Sequence, residues 1–199
     1  MTDTTHPSAN PKDRLLASAI DTFGVKGFHG TTTRDIAAGA GMSPAAVYVH
    51  HKSKEDLLYL IALEGHQRTA RAFAEQIAAT DNPVQQLTGL VRSFVRDYAV
   101  NHTLARIVSY ELASLAPEHR TEILTIRREV LTMVREVLHA GNARGVFDAV
   151  DPDMTSIAVL SLGIDVARWF RDNGRFTPEA VADHYAYLAL RMVGAAARP

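Results

Sequence analysis

The sequence predicts an all-α fold of about nine helices, and two kinds of pattern support that prediction. Apolar residues recur with the 3.6-residue period of amphipathic helices, and no stretch keeps the two-residue alternation of a strand. Helix starts are marked by a capping residue followed by proline, which needs no amide partner at the first helical position. Five such pairs occur: Asn10-Pro11, Ser43-Pro44, Asn82-Pro83, Asp151-Pro152 and Thr177-Pro178. Two further starts have the spacing of a capping box: Thr32 with Asp35, and Ser53 with Asp56.

The predicted helices divide the chain into a short polar tail, a small domain and a larger one. The first three helices are short and punctuated by glycine, whereas the later ones are long and amphipathic. The predicted helices are 11–27, 32–39, 43–50, 53–79, 82–101, 103–114, 118–141, 152–173 and 177–196. We expect a disordered tail over residues 1–10, a three-helix domain over 11–54 and a helical bundle over 55–199. The fourth helix is expected to run between the two domains without a flexible joint.

Composition restricts the class of protein. With 47% hydrophobic and 22% charged residues among 199, the chain has the balance of a globular protein. No apolar run is long enough to cross a bilayer, and the polar N-terminus lacks the apolar core of a secretory signal. The absence of cysteine excludes disulfides, a thiolate nucleophile and a cysteine-based zinc site. These features favour a cytoplasmic protein.

Positive charge is concentrated near the N-terminus although the net charge is only −1. All four lysines lie in the first 54 residues. Between Lys26 and Lys54 four fixed cations are opposed by one acid, Asp35. A small basic module on a near-neutral body suits contact with DNA at one end of the molecule.

Residues 33–54 have the pattern of a helix-turn-helix, with the sequence TRDIAAGAGMSPAAVYVHHKSK. Ile36, Ala37 and Ala40 share one face of the first helix, Gly41 permits a left-handed turn, and Met42 follows it as an apolar plug. Val47 then points inward from a two-turn helix that is short enough to enter the major groove. The alternative is a generic αα-hairpin, which explains the spacing but not the tyrosine, histidines and lysines at one exposed end.

Residues 12–58 resemble the DNA-binding domain of TetR-family regulators. The resemblance rests on Ala19–Phe23, Gly27-Phe28, the run from Thr32 to Ala37, Gly41, Tyr48, His50, Lys52-x-Lys54 and Leu57-Leu58. It implies phosphate contacts by Thr33, Arg34, Tyr48, Lys52 and Lys54, and it places Ala45, Ala46, Val49 and His50 at base edges. Ser43, which starts the recognition helix, is included among the DNA-binding residues. His51 departs from the family, which usually has an aromatic there; we expect it to pack between helices, the alternative being a phosphate contact.

The C-terminal part is similar to TetR-type regulators of fatty-acid, aromatic-acid and steroid degradation, several of which respond to coenzyme A thioesters. The similarity rests on Gly145-x-Phe147, Asp151, Arg168-Trp169-Phe170 and the 185–190 region. It implies an apolar tunnel with cations for phosphates. The predicted ligand-binding residues are Phe94, Tyr98, Tyr110, Met133, Val137 and Trp169 as walls, with Arg106, Arg127 and Arg168 as cations. Alternatively the aromatics are core, and Arg168 pairs with Asp165 or Asp172 on the surface.

Small residues are frequent in the last two predicted helices and suggest a homodimer interface there. They are Ala158, Ser161, Gly163, Ala167, Ala180, Ala182, Ala186, Ala189 and Gly194. Small side chains let helices approach closely, so we expect a four-helix bundle across a two-fold axis. The alternative is that the same residues pack the core of a monomer.

The expected function is therefore a transcriptional repressor that binds a palindromic operator as a dimer and is released by a small molecule, for which the resemblance suggests an acyl-CoA thioester. Its expected partners are double-stranded operator DNA, the effector and a second copy of the chain, with no membrane, cofactor or metal. The sequence lacks G-x-S-x-G, P-loop and H-E-x-x-H motifs, so we do not expect an enzyme. Two alternatives are an activator of the same fold, and a helical carrier of apolar ligands that does not bind DNA.

Overall fold

The computed structural model describes residues 10–195, and this part of the chain contains nine α-helices and no strand. A short 3-10 turn, Leu112–Ser114, follows the sixth helix. The helices are α1 Pro11–Gly30, α2 Thr33–Gly39, α3 Pro44–His50, α4 Lys54–Ala78, α5 Pro83–Val100, α6 His102–Tyr110, α7 Pro117–Ala143, α8 Pro152–Trp169 and α9 Pro178–Met192. The all-α prediction is confirmed. The tail predicted for residues 1–10 lies outside the described residues except for Asn10.

Most predicted helix starts have the expected caps. The side chains of Asn10, Asn82, Asp151 and Thr177 each accept a backbone amide of the first turn. Thr32 and Asp35 form the complete capping box. The exception is Ser43, whose side chain makes no capping hydrogen bond, so proline alone marks the start of α3. Within α1 the backbone leaves helical geometry at Gly27, where φ is +72°, close to the predicted end of the helix.

Two hydrophobic cores organise the molecule. The C-terminal core surrounds α5 and includes buried residues of α7, α8 and α9. The N-terminal core joins Leu15, Ile36 and Val47 of the first three helices to Leu57 and Leu58 of α4. It also includes Ile107 and Val108 of α6 and Ile123 of α7. The small domain is therefore packed directly on the larger one.

The small residues of α8 and α9 mostly serve packing within the chain, which corrects the reason given above for a dimer. Gly163 lies against α5, because a Cβ at that position would stand 2.6 Å from Cδ1 of Phe94. The alanines at 167, 182, 186 and 189 are buried inside the single chain. The small side chains thus allow α8 and α9 to approach α5. They do not by themselves indicate a partner.

None of the helices within residues 10–195 combines the length and apolar character needed to cross a membrane.

Candidate DNA interface and ligand cavity

The helix-turn-helix has the predicted packing. Ile36, Ala37 and Val47 are fully buried, so α2 and α3 are held together by their apolar faces. Gly41 has φ +65° and its amide donates to the carbonyl of Ala38 at 3.0 Å, which makes the turn that was expected there. The amide of Met42 donates to Ala37 at 2.8 Å. A left-handed residue without a Cβ is what this reversal requires.

The outward face of α2 and α3 carries most of the residues predicted to touch DNA. Arg34, Ser43, Ala45, Tyr48, Val49 and Lys52 are exposed, and Thr33, Ala46, His50 and Lys54 are half-buried. Val49 is 77% exposed, so its side chain is accessible to a partner on this face. The hydroxyls of Thr33 and Tyr48 lie 3.3 Å apart and join the two helices on this face.

An ion pair and a capping box fix the start of α2. Lys26 Nζ donates to Asp35 Oδ1 at 2.7 Å, and Asp35 Oδ2 accepts from the Thr32 amide at 2.8 Å. The hydrogen bond from Lys26, with those from Thr32, holds the pKa of the Asp35 carboxyl well below its usual range. Asp35 is therefore ionised at neutral pH, and it neutralises one of the four cations of the basic segment.

His51 is buried, as its predicted packing role requires. Its Nδ1 lies 3.3 Å from Oδ2 of Asp56, while Ser53 accepts the Asp56 amide at the start of α4. Burial removes His51 from the exposed face of α3.

Lys54 has a structural partner that sequence reasoning did not identify. Its Nζ donates to the carbonyls of Phe28 and Thr31 at 2.6 and 2.7 Å, and it lies 4.3 Å from the centre of the Phe28 ring. The first residue of α4 therefore closes the C-terminal end of α1. The phosphate contact of Lys54 stays a prediction.

A cavity of about 470 Å³ lies in the larger domain between α4, α5, α7 and α8. Its residues are His66 and Thr69 of α4, Phe94 and Tyr98 of α5, Leu124, Arg127, Arg128, Val130 and Leu131 of α7, and Ile157, Leu160, Ser161 and Ile164 of α8. The exposed members all belong to α7 and α8, so the cavity opens between these two helices. Its volume is within the range of about 300–1,000 Å³ that is typical of small-molecule sites.

Three of the nine predicted ligand-binding residues, Phe94, Tyr98 and Arg127, line this cavity. Arg106 instead donates to the Gly24 carbonyl at 2.9 Å, at the contact of α6 with α1. Arg168 is exposed and pairs with Asp165, with Nε to Oδ1 at 2.6 Å, as the alternative interpretation held. Tyr110 is exposed on α6, and Met133, Val137 and Trp169 belong to or pack on the C-terminal core. These six residues do not line the cavity. Sequence periodicity identifies the buried face of a helix but does not show which part of it borders a cavity, so the prediction could not separate them from the lining residues.

His66 and Thr69 are cavity residues that sequence reasoning missed. They lie three residues apart on α4, between the buried residues Ala62 and Phe73. A histidine in the apolar stripe of a helix was the available signal, since buried polar residues are less common than buried aliphatic ones. Burial lowers the pKa of His66 to about 4, although the hydrogen bond that His66 Nδ1 donates to the carbonyl of Ala62 raises it, and the charge of Arg127 lowers it further. Burial also raises the pKa of the Tyr98 hydroxyl.

Among residues 10–195 no cluster of three acidic or histidine side chains has the arrangement of a metal site.

A helix-turn-helix with an exposed recognition helix, joined by one continuous helix to a bundle that holds an apolar cavity, defines the class of helix-turn-helix transcription regulators. Two family models match the chain: the one described as "Bacterial regulatory proteins, tetR family" over residues 15–60, and the one described as "Tetracyclin repressor-like, C-terminal domain" over residues 80–193. The chain belongs to the TetR family of transcription regulators.

Individual relatives agree with this assignment. A solved tetR-family regulatory protein from Rhodococcus RHA1 is 41% identical, covers 95% of this chain and 100% of its own, and superposes with a TM-score of 0.89. The transcriptional repressor KstR2 of Mycolicibacterium smegmatis is 27% identical over 94% of this chain and 93% of its own. AibR in complex with isovaleryl coenzyme A and operator DNA is 23% identical, covers 94% of this chain and 100% of its own, and has a TM-score of 0.84, a likeness of fold.

Proposed function

We propose that the chain is a repressor that binds a palindromic operator as a homodimer and is released when a small molecule occupies the cavity. The observation that carries this proposal is the course of α4. Its first residue, Lys54, binds the carbonyls of Phe28 and Thr31 in the DNA-binding domain, and about three to four turns of helix further on His66 and Thr69 line the cavity. One rigid helix therefore touches both sites.

The proposed DNA surface is the exposed face of α2 and α3. Arg34 and Lys52, both exposed, are proposed to contact phosphates, as are Thr33, Tyr48 and Lys54, with Ser43 at the start of α3. Ala45, Ala46, Val49 and His50 face the base edges, where small apolar side chains meet thymine methyl groups. A cytoplasmic location follows from binding to chromosomal DNA.

The proposed dimer uses the outward faces of α8 and α9. Exposed apolar side chains on these helices support it, among them Leu162, which is 44% exposed, and Tyr187, which is 49% exposed. Exposed apolar patches of this kind mark protein interfaces. A two-fold axis there sets two recognition helices about 34–36 Å apart, one turn of DNA, and thereby matches a palindrome.

The proposed effector has an apolar body, and an acyl-CoA thioester is the class that the relatives favour. KstR2 is named a repressor, and AibR, which shares the fold, is in complex with isovaleryl coenzyme A and operator DNA. To release the protein from DNA, the effector must bind the conformation that cannot bind DNA more tightly than the one that can. An effector with equal affinity for the two conformations would not shift the equilibrium between them.

A gel-shift assay of the protein on the DNA upstream of its own gene, titrated with acyl-CoA thioesters, tests the proposal. We expect a retarded band that one class of thioester releases. A band that no thioester releases would overturn the effector class and keep the repressor. Failure to retain any sequence from a random DNA library would overturn DNA binding and favour the ligand carrier.

A further inference from the structure

The polar groups of the cavity are unevenly distributed between its walls. Seven of its residues are apolar, and none is acidic. The polar groups of the α4 wall are His66 and Thr69, and those of the α7 wall are the guanidinium groups of Arg127 and Arg128. Tyr98 and Ser161 add hydroxyls from α5 and α8. The polar groups of α4 and those of α7 therefore restrict how a ligand can lie in the cavity.

The α4 wall offers hydrogen-bond acceptors. Nδ1 of His66 lies 2.8 Å from the carbonyl of Ala62, and a carbonyl can only accept, so Nδ1 carries the proton. Burial keeps the pKa of His66 low, so the ring is neutral near pH 7 and Nε2 is an acceptor. Thr69 donates its hydroxyl hydrogen to the carbonyl of Gly65 at 3.2 Å, so the lone pairs of the hydroxyl oxygen remain free to accept a hydrogen bond. A ligand group that meets this wall must donate.

The α7 wall offers donors. Arg127 is half-buried, and the ion pairs formed among residues 10–195 do not include it. A guanidinium has five N–H donors and no acceptor, and it prefers carboxylate or carbonyl oxygens. Because no acid lines the cavity, an acyl oxygen of a ligand can pair with Arg127 without displacing an acidic partner from the cavity wall. Arg128 is exposed at the opening, where a second anionic group can reach it.

We infer that the effector is a hydroxylated acyl compound whose acyl oxygens bind Arg127 of α7 and whose hydroxyl, beside Thr69, donates its one hydrogen to Nε2 of His66 on α4, with its hydrocarbon part on the apolar walls. This inference rests on the proposed function and names the chemistry of its effector. A ligand with both groups bridges α7 to α4, the helix that reaches the DNA-binding domain. A plain fatty acyl group fills the cavity but leaves the α4 acceptors without a donor.

The acyl oxygens can belong to a free acid or to a thioester. Coenzyme A is larger than the cavity, so in a thioester only the acyl part is enclosed and the carrier leaves between α7 and α8, past Arg128. If the ligand is a free acid, its carboxylate lies at Arg127 and no part of the ligand contacts Arg128. The chemistry at α4 is the same in both.

Titration calorimetry on the full-length protein without DNA tests the inference with ligands of one chain length. The probes are 3-hydroxydecanoate, decanoate, decanol and decylamine, together with 3-hydroxydecanoyl-CoA. We expect 3-hydroxydecanoate to bind more tightly than decanoate by about three- to tenfold, the value of one neutral hydrogen bond, and decylamine to bind more weakly than decanoate because Arg127 repels its ammonium. If 3-hydroxydecanoyl-CoA binds more tightly than the free acid, and Arg128→Gln removes this difference, the effector is a thioester. Equal affinity of decylamine and decanoate would overturn the inference.

Variants assign each contact to its residue. Arg127→Gln should weaken decanoate binding about ten- to hundredfold, as for a lost charged hydrogen bond, and leave decanol unchanged. His66→Leu should abolish the preference for the hydroxylated acid, and His66→Gln, which keeps an acceptor, should restore it. Arg120→Gln, an exposed arginine of α7 that does not line the cavity, is the matched control. Equal losses for decanoate and decanol in Arg127→Gln would contradict the assignment.

Failure of this inference is distinguishable from failure of the proposed function because calorimetry needs no operator. Selective binding that does not release DNA would keep the ligand chemistry and overturn its regulatory role. Suppose instead that a ligand releases the operator but its binding depends on neither the hydroxyl nor the acyl oxygens. That result would keep the proposed function and overturn the ligand chemistry.

Discussion

Nζ of Lys54 donates to the carbonyl of Phe28 at 2.6 Å, so the first residue of α4 holds the last turn of α1. The same ammonium binds the carbonyl of Thr31 and lies over the Phe28 ring. Gly27, where the helical geometry of α1 breaks, immediately precedes this contact. This contact links the start of α4 to the segment that leads into α2.

Replacing Lys54 by methionine should destabilise the DNA-binding domain. The change keeps the aliphatic stem and removes an ammonium from two carbonyls, so we expect a loss of about 2 kcal/mol in the free energy of unfolding. Urea denaturation measures it. A variant as stable as the native protein would show that these hydrogen bonds contribute nothing net.

Lys52→Met is the matched comparison, because Lys52 is exposed. We expect unchanged stability, weaker operator binding, and a slope of log K against log salt that is smaller by about 1, since one phosphate contact is lost. Gel-shift titrations at several salt concentrations measure the slope. An unaltered slope would remove Lys52 from the DNA interface.

Gly24→Ala should disturb the contact between α1 and α6. A Cβ at position 24 would stand 2.4 Å from Cγ2 of Thr103, so either the Thr103 side chain or the two helices must shift. We expect a destabilisation of about 1–3 kcal/mol, typical of overpacking. The double variant Gly24→Ala with Thr103→Ser, which lacks that methyl group, should recover most of it. Additive losses in the double-mutant cycle would contradict the steric explanation.

Protonation of His66 should make stability depend on pH. Burial lowers the pKa of His66 to about 4 from 6.5, so the unfolded chain binds the proton more readily than the folded one. The contribution of the neutral ring is complete above pH 6.5 and is lost as pH falls towards 4, by about 3 kcal/mol in total. Urea denaturation at both pH values, on the native protein and His66→Gln, measures the difference. Identical pH profiles would sink this assignment.

Leu162→Asp should convert the proposed dimer into a monomer, because a carboxylate on the outward face of α8 opposes burial against a second copy. Sedimentation velocity measures the change in mass. Val25→Asp, at an 86% exposed position of α1, is the control and should stay dimeric. Dissociation by the control alone would place the interface elsewhere.

The helices and the helix-turn-helix could be predicted from the amino-acid sequence, because the signals for both are local. Capping residues with proline mark the starts, and the spacing of Ile36, Ala37, Gly41 and Val47 dictates how α2 meets α3. Even the burial of His51 followed from its place in the motif. Such features depend on residues within a few turns of each other.

Which side chains surround the cavity, and what the small residues pack against, became known from the packing of the helices. A helix with more than one apolar face does not reveal which of them meets a void, so Met133 and Val137 could not be told apart from Val130 and Leu131 by period alone. Arg106, Arg127 and Arg168 look alike in the sequence, yet only Arg127 lies on the cavity wall. The difference depends on packing between helices that are distant in the chain, such as Gly163 of α8 on Phe94 of α5.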